Sequence, residues 1–525
     1  MTLERSSSRS SDLSSRAKRG ISVASAVEGL GLFALITVMA CARTATPAQA
    51  TPPATPAPTA QAAATPAARQ PQSTPPDPAP LRPWRFPEIR EGTLANGMRL
   101  ILVEKHTLPI VTARVMFDAG ALREPAAKSG LAALTGNLLR EGTPELGGAE
   151  ISTRMERMGA QFGTVGTFSM SYIELTALPE VFPEALALAA STVTSPTFPE
   201  SEFERVRAEM IADYHQTMAR VEGIADRIFY QAAFRREAPY SRSSFGTEKT
   251  LSTITREDVM QWHRERYSPA TATVLVVGAI DEAGARRVIE QAFAGWSAPA
   301  RREPVPSNPA TERTGTRIIL VDRPGSVQSA ILIGQQTPLP TSPDYIPLLA
   351  TTHVLGGGFS SRLNMNLREQ HGFTYGAFGG LDLRRGGSAL TLSSSVRTSA
   401  TDSALVEALR EYRRIVQEPV PVEELRGFVN NLAASFPSST QTVQELRTRL
   451  QNLELWGLPL DFYETYRERL TALTPSDIQA AARRHVTPDR ALVVIAGDLS
   501  RIEDAIRGRN LGEVEIWDME GNRIH

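Results

Sequence analysis

Hydrolytic or metal chemistry needs side chains at spacings that converge, and this chain holds few such patterns. Its seven histidines, His106, His215, His263, His353, His371, His485 and His525, are scattered, with no two of them three to five residues apart. None therefore belongs to a helical or turn pair that would present two imidazoles to one metal ion. Cys41 is the single cysteine and lies in the leader, so the folded part offers no thiolate ligand. The glycine triplet Gly356, Gly357 and Gly358 lacks the following Gly-Lys-Ser/Thr of a phosphate-binding loop. No protein-only metal site is expected, and no cofactor is expected to be bound by this chain.

One constellation is more promising. After the glycine triplet the sequence reads FSSRLNMNLREQHGFTYG over residues 359–376. Leu363 and Leu367 give a helical apolar spacing, Gly372 is a favourable stop, and Phe373 to Tyr375 should open a strand. A helix-to-strand corner of this kind can aim the guanidinium of Arg368 and the phenol of Tyr375 at one point. Each also has an ordinary reading alone: Arg368 on a solvated helix face, Tyr375 with its ring packed and its hydroxyl at the surface. His371 reads as a surface residue.

The elements that must carry these groups are visible as a repeat. Residues 251–280 (LSTITREDVMQWHRERYSPATATVLVVGAI) match residues 470–499 (LTALTPSDIQAAARRHVTPDRALVVIAGDL) without a gap, aligning Thr255 with Thr474, Asp258 with Asp477, Pro269 with Pro488 and Gly278 with Gly497. In each copy Thr-x-x-Asp predicts a capped helix start, proline stops the helix, and a β-branched run predicts a buried strand. Strands alternating with helices predict two homologous α+β domains, each an α/β sandwich of a mainly antiparallel sheet packed with helices. Their expected extents are 86–300 and 312–525, with a Pro/Arg-rich linker at 301–311.

Ahead of the domains lies an export signal. Residues 29–40 (GLGLFALITVMA) form an apolar run behind a basic cluster, Arg16, Lys18 and Arg19. It has the length of a signal-peptide core and is short for a membrane span. Val38-Met39-Ala40-Cys41 resembles a lipobox, which would give the lone Cys41 a role in lipid attachment. Cleavage after Ala48-Gln49-Ala50, leaving a soluble protein, and an uncleaved anchor are the alternatives. Each places the folded part on the periplasmic side of a bacterial cell envelope. Residues 42–85 are rich in Ala, Pro and Thr, with little to bury, and read as a disordered stalk able to span up to about 120 Å as an extended polyproline coil. With 56 Lys and Arg against 57 Asp and Glu, a formal charge of −1, no global field recruits nucleic acid.

Two segments carry a family resemblance. Residues 130–143 (GLAALTGNLLREGT), preceded by GALREP at 120–125, are similar to the G-L-A-H-x-x-E-H-x-L-x-x-G-T segment of the pitrilysin/insulinase family of inverted-zinc metallopeptidases. In that motif two histidines hold zinc and the glutamate is the base on the zinc-bound water. Ala133, Gly136 and Asn137 stand at those three positions here, and none replaces imidazole or carboxylate adequately. Glu209, in ERVRAEM at 204–210, falls where the family has its distant ligand, and its ordinary reading is a solvated helix residue. The segment 356–376 resembles the family signature G-G-x-x-S-S-R-L-x-x-x-L-R-E-x-x-G-x-x-Y, which spans Gly356, Gly357, Gly358 and Arg362 as well as Arg368 and Tyr375.

The resemblance implies a clamshell half without intrinsic peptidase activity. It further implies a homologous zinc-binding subunit as partner, with the zinc in that partner and a peptide as substrate. Arg368 and Tyr375 would reach across to it, holding the substrate carbonyl and stabilising the oxyanion. The alternative is an envelope binding or scaffold protein that kept the fold and lost the chemistry.

Overall fold

The run TVLVVG at Thr273–Gly278 is buried along its whole length, as an aliphatic strand must be when both of its edges and faces are covered. The computed structural model describes residues 80–297, 302–306 and 308–525. Cys41, the signal segment and residues 42–79 lie outside the described residues. Two six-stranded sheets carry the chain. The first contains β1 (Arg90–Thr93), β2 (Arg99–Glu104), β3 (Val111–Phe117), β4 (Gln161–Gly166), β5 (Ser171–Ala177) and β6 (Thr273–Gly278) in the order β1-β2-β6-β3-β5-β4. The second contains β7 (Arg317–Asp322), β8 (Gln328–Gln336), β9 (Thr374–Arg384), β10 (Gly387–Arg397), β11 (Leu492–Gly497) and β12 (Glu513–Trp517) in the order β12-β7-β11-β8-β10-β9.

The repeat in the sequence is thus a repeat in space. β6 lies parallel to β2 and antiparallel to β3, and β11 lies parallel to β7 and antiparallel to β8. Both helices before these strands start at the expected capping boxes, Thr255 with Asp258 and Thr474 with Asp477. The copies differ at one edge: β1 pairs antiparallel with β2, whereas β12 pairs parallel with β7. Mainly antiparallel sheets layered with helices make the architecture α+β.

Each sheet is covered on one face by a helix from the other copy. Helix Val221–Ala233 packs on β8 and β11, and helix Val443–Trp456 packs on β3 and β6. Gly334 of β8 permits the first contact, because a Cβ there would come within 2.7 Å of the Phe229 ring. A polar seam fixes the second. Arg447 donates to Thr112 Oγ1 (2.5 Å) and to Glu174 Oε2 (2.8 Å), while Arg114 also contacts Glu174 and Gln451. Apolar burial therefore links the two copies into shared cores, and separating them would expose both sheets.

The chain is already engaged at Arg82 and Trp84, within the segment expected to be stalk. Trp84 meets Phe436 edge-on at 5.3 Å, Phe86 stacks on Tyr463 at 5.2 Å, and Arg467 donates to the Arg82 carbonyl (3.2 Å). Large aromatic side chains supply the burial that the Ala/Pro/Thr segment lacks. The connection between the copies is also pinned, with Arg302 donating to Glu454 (3.0 Å) and Asn308 accepting from the Tyr240 amide (3.1 Å).

Candidate functional site

The helix Leu131–Leu138 carries the three altered motif positions. Its start is built by Gly130, at φ +98°, and by Glu124, whose buried carboxylate accepts from the Gly130 and Ala132 amides. Burial pushes the Glu124 carboxyl up, to about 8, against the opposing pull of those amides and of Arg242. The helix then lies directly on the edge strand β4. A Cβ on Gly136 would sit 2.3 Å from the Gly166 amide nitrogen, and one on Gly166 would sit 2.1 Å from the Ala132 carbonyl oxygen. Ala133 is buried. The place where a glutamate base would project is filled by backbone.

The second copy is built in the same way. Helix Tyr345–Gly356 follows β8 as Leu131–Leu138 follows β3, and it ends on its own edge strand, where a Cβ on Gly356 would lie 2.6 Å from the Gly379 nitrogen of β9. The helix-on-edge-strand packing is therefore shared by both copies.

Glu209 lies on helix Glu200–Met218 with its side chain 61% exposed, paired to Arg205 at 2.9 Å. Arg205 also bridges Glu202 (2.6 Å) and Glu141 (3.0 Å), so Glu209 belongs to a surface ion network. Among the described residues no group of three or more His, Cys, Asp or Glu side chains is placed to hold a metal ion. The residues at the motif positions do not fit zinc.

The corner carrying Arg368 and Tyr375 forms as a helix and strand. Residues Met365–Gln370 make a π-helical turn, Gly372 closes it at φ +61°, and the Gly372 and Phe373 amides donate to the Arg368 and Leu367 carbonyls (3.0 and 2.9 Å). β9 begins at Thr374. Its register against β10 pairs Thr374 with Val396 and Ala377 with Ser394, leaving Tyr375 and Gly376 opposite Ser395 alone. That is a β-bulge, a device that re-aims a side chain. The Thr374 hydroxyl holds it, donating to the Ser395 carbonyl (2.7 Å) and accepting from the Gly376 amide (3.1 Å).

The bulge leaves Tyr375 93% exposed, so its ring is unpacked among the described residues. Arg368, 37% exposed, pairs with Glu369 at 3.0 Å and stands over the ring of Phe359, with the guanidinium carbon 5.2 Å from the centroid. Among the described residues no hydrogen bond or ring contact joins Arg368 to Tyr375. They are connected through other side chains: Phe359, 64% exposed, meets Phe378 edge-on at 5.9 Å, and the Phe378 ring lies over Gly376 beside Tyr375. Sequence reasoning missed Phe359 and Phe378. Their alternation with glycines in an exposed corner is the only local sign of them.

The remaining signature residues are structural. Arg362 makes a two-pronged ion pair with Glu424 (2.8 and 2.7 Å), tying the corner to helix Val422–Ser435. Gly357 makes room for His353, whose imidazole burial keeps below its ordinary pKa, and Gly358 faces open space.

Comparison with known proteins now decides the family. Residues 99–248 match the model for the insulinase family of peptidases, M16, and residues 253–432 match the model for the M16 inactive domain. The chain belongs to the M16 family. The match to the M16 inactive domain supports a catalytically inactive member of the family. It is 22% identical to an uncharacterized zinc protease of Streptomyces coelicolor, over 80% of this chain and 92% of that protein. It is also 22% identical to the non-peptidase homolog YmxG of Helicobacter pylori, over 74% of this chain and 88% of that one. The crystal structure of a peptidase M16 inactive domain from Pseudomonas fluorescens superposes with a TM-score of 0.73 at 23% identity, covering 78% of this chain and 98% of that structure. At such identities the structural likeness speaks for the fold alone.

Proposed function

We propose that this M16 chain is the non-catalytic subunit of a two-chain peptidase, pairing with a homologue that carries an intact H-x-x-E-H motif. One observation carries the reading: the motif helix is closed onto β4 at Gly136, while the bulge at Tyr375 presents a fully solvated phenol. The first feature removes the chemistry from this chain, and the second leaves a donor that is unpartnered among the described residues and open to another molecule. In the assembled pair a zinc held by the partner would supply the activated water. Arg368 and Tyr375 bind the peptide carbonyl from the opposite side and donate hydrogen bonds to the oxygen as it becomes negative. The chain is held in the bacterial envelope by lipid on Cys41.

A second reading, an envelope scaffold, is favoured by Arg368 being paired with Glu369 and not joined to Tyr375. Co-expression with the zinc-bearing homologue separates the two. Co-purification with peptidase activity that neither chain shows alone supports the subunit, and an active homologue indifferent to this chain supports the scaffold.

A further inference from the structure

The corner that carries Arg368 and Tyr375 is held by side chains at positions the family signature leaves open, Phe359 and Asn364, and by Phe378 just beyond it. Phe359 is mostly solvent-exposed, yet its ring lies under the Arg368 guanidinium and touches Phe378 on β9. An exposed aromatic gains little by burial, so its stacking partners account for its position. Phe378 in turn lies over Gly376, within the bulge that turns Tyr375 outward: a Cβ on Gly376 would come within 2.6 Å of the Phe378 ring. Behind this row sits Asn364, fully buried. Its Nδ2 donates to the Phe359 carbonyl (2.8 Å) and its Oδ1 accepts from the Ala377 amide (3.1 Å). One amide thus staples the loop bearing Phe359 to the strand immediately after the bulge.

We propose that Phe359, backed by Phe378 and Asn364, is a positioning residue that seats Arg368 and couples it mechanically to the Tyr375 bulge, so that the two donors move as one unit. This rests on the subunit reading above for its consequence in turnover, but the coupling is a property of the isolated chain. The Phe359 face attracts the guanidinium through the ring quadrupole, competing with the solvated Glu369 pair for its orientation. Without the ring, Arg368 would be left with the Glu369 pair and the side-chain row from Arg368 to the Tyr375 bulge would be broken, leaving the Asn364 staple as its support.

The test uses the full chain, alone and assembled with its zinc-bearing homologue. In the isolated chain the Arg368 Nε–H resonance, assigned by its disappearance in R368K, reports the ring current of Phe359. Phe359→Leu is expected to shift that resonance, and Phe359→Tyr to leave it near its original position. Because Phe359 is exposed, neither change threatens folding, whereas Asn364→Asp, which alters a buried group, is read only if circular dichroism shows a folded chain. In the assembled pair Phe359→Leu should lower kcat by about two- to fivefold, the factor an exposed cation–π contact is worth, with KM little changed, and Phe359→Tyr should restore it. An Arg368 resonance that ignores Phe359→Leu overturns the seat. If Arg368→Ala lowers turnover while Phe359→Leu does not, the positioning role fails and the subunit reading stands. If Arg368→Ala itself leaves turnover unchanged, Arg368 has no part in the reaction and the consequence in turnover fails, while the subunit reading is judged by co-purification and by Tyr375→Phe and the resonance still decides the seat of Arg368 on the ring.

Discussion

Gly136 and Gly166 touch backbone to backbone, so closely that a Cβ on either would overlap the other segment's main chain. This contact decides how the altered motif responds to repair. Replacing glycine by alanine in a helix normally stabilises by about 1 kcal/mol. Here Gly136→Ala should destabilise, by about 1–3 kcal/mol as overpacking against a strand that has little room to shift. The restoring triple change Ala133→His, Gly136→Glu and Asn137→His should lower the stability further and yield no stoichiometric zinc binding. Urea unfolding of each variant, with zinc titration by calorimetry, checks both statements. A stabilised Gly136→Ala would show that the helix can lift from β4.

Glu174 serves two buried arginines at once, Arg114 and Arg447, where helix Val443–Trp456 crosses the first sheet. Burial alone would raise its pKa, but the two guanidinium groups outweigh it and hold the carboxyl below its ordinary range. The linkage sign follows. The pair contributes fully above the unfolded carboxylate pKa, near 4.3, and its contribution is lost as pH falls through the depressed folded value. Glu174→Gln should cost about 3 kcal/mol at neutral pH, the lower end for breaking a buried pair because the side chain is 32% exposed. It should also flatten the acid limb of the stability profile below about pH 4. Hydrogen exchange should rise first in helix Val443–Trp456, and unchanged protection there would sink the assignment.

What the sequence made legible was local. The capping residues Thr255 and Thr474, the stop at Gly372 and the buried strands, expected over 273–277 and 492–495 and formed over Thr273–Gly278 and Leu492–Gly497, are written in a few adjacent residues each. The cover of each sheet by the other copy's helix is not, because the fit of Phe229 to Gly334 or of Arg447 to Glu174 joins residues far apart in the chain. The corner shows the same division. Its helix and strand were visible, but the bulge at Tyr375 depends on its register against Ser395, and the ring row from Phe359 to Phe378 depends on how the corner folds back. The closure at Gly136 was legible only as a missing carboxylate, because the opposing Gly166 belongs to a separate strand.

Export is expected to end in lipid attachment. Mass spectrometry of the mature N-terminus should find a diacylated or triacylated Cys41, the only thiol of the chain. A mature chain beginning at Thr51 without lipid would instead establish a soluble envelope protein. Because the chain is already pinned by Trp84 to Phe436, the tether should leave the folded part beside the helices of the second copy. If residues 42–79 are the stalk that their Ala/Pro/Thr composition predicts, protease should cut there and release a folded product that retains Trp84.

The last prediction concerns turnover. If Arg368 and Tyr375 meet the developing oxyanion in the partner's site, Arg368→Ala and Tyr375→Phe should leave the complex assembled and lower kcat about 100- to 1,000-fold, as loss of one such donor does elsewhere. Tyr375→Phe is the sharper of the two. Its ring is already solvated, so deleting the hydroxyl disturbs no packing, and any loss belongs to the hydrogen bond. Arg368→Lys should also be impaired, because a point ammonium lacks the planar fork and sits less well on the Phe359 face. Complex formation is measured by size-exclusion chromatography with light scattering, and turnover on a quenched fluorescent peptide. Full activity in all three assembled variants would leave the scaffold reading, since a phenol so exposed would then have no chemical task in the pair.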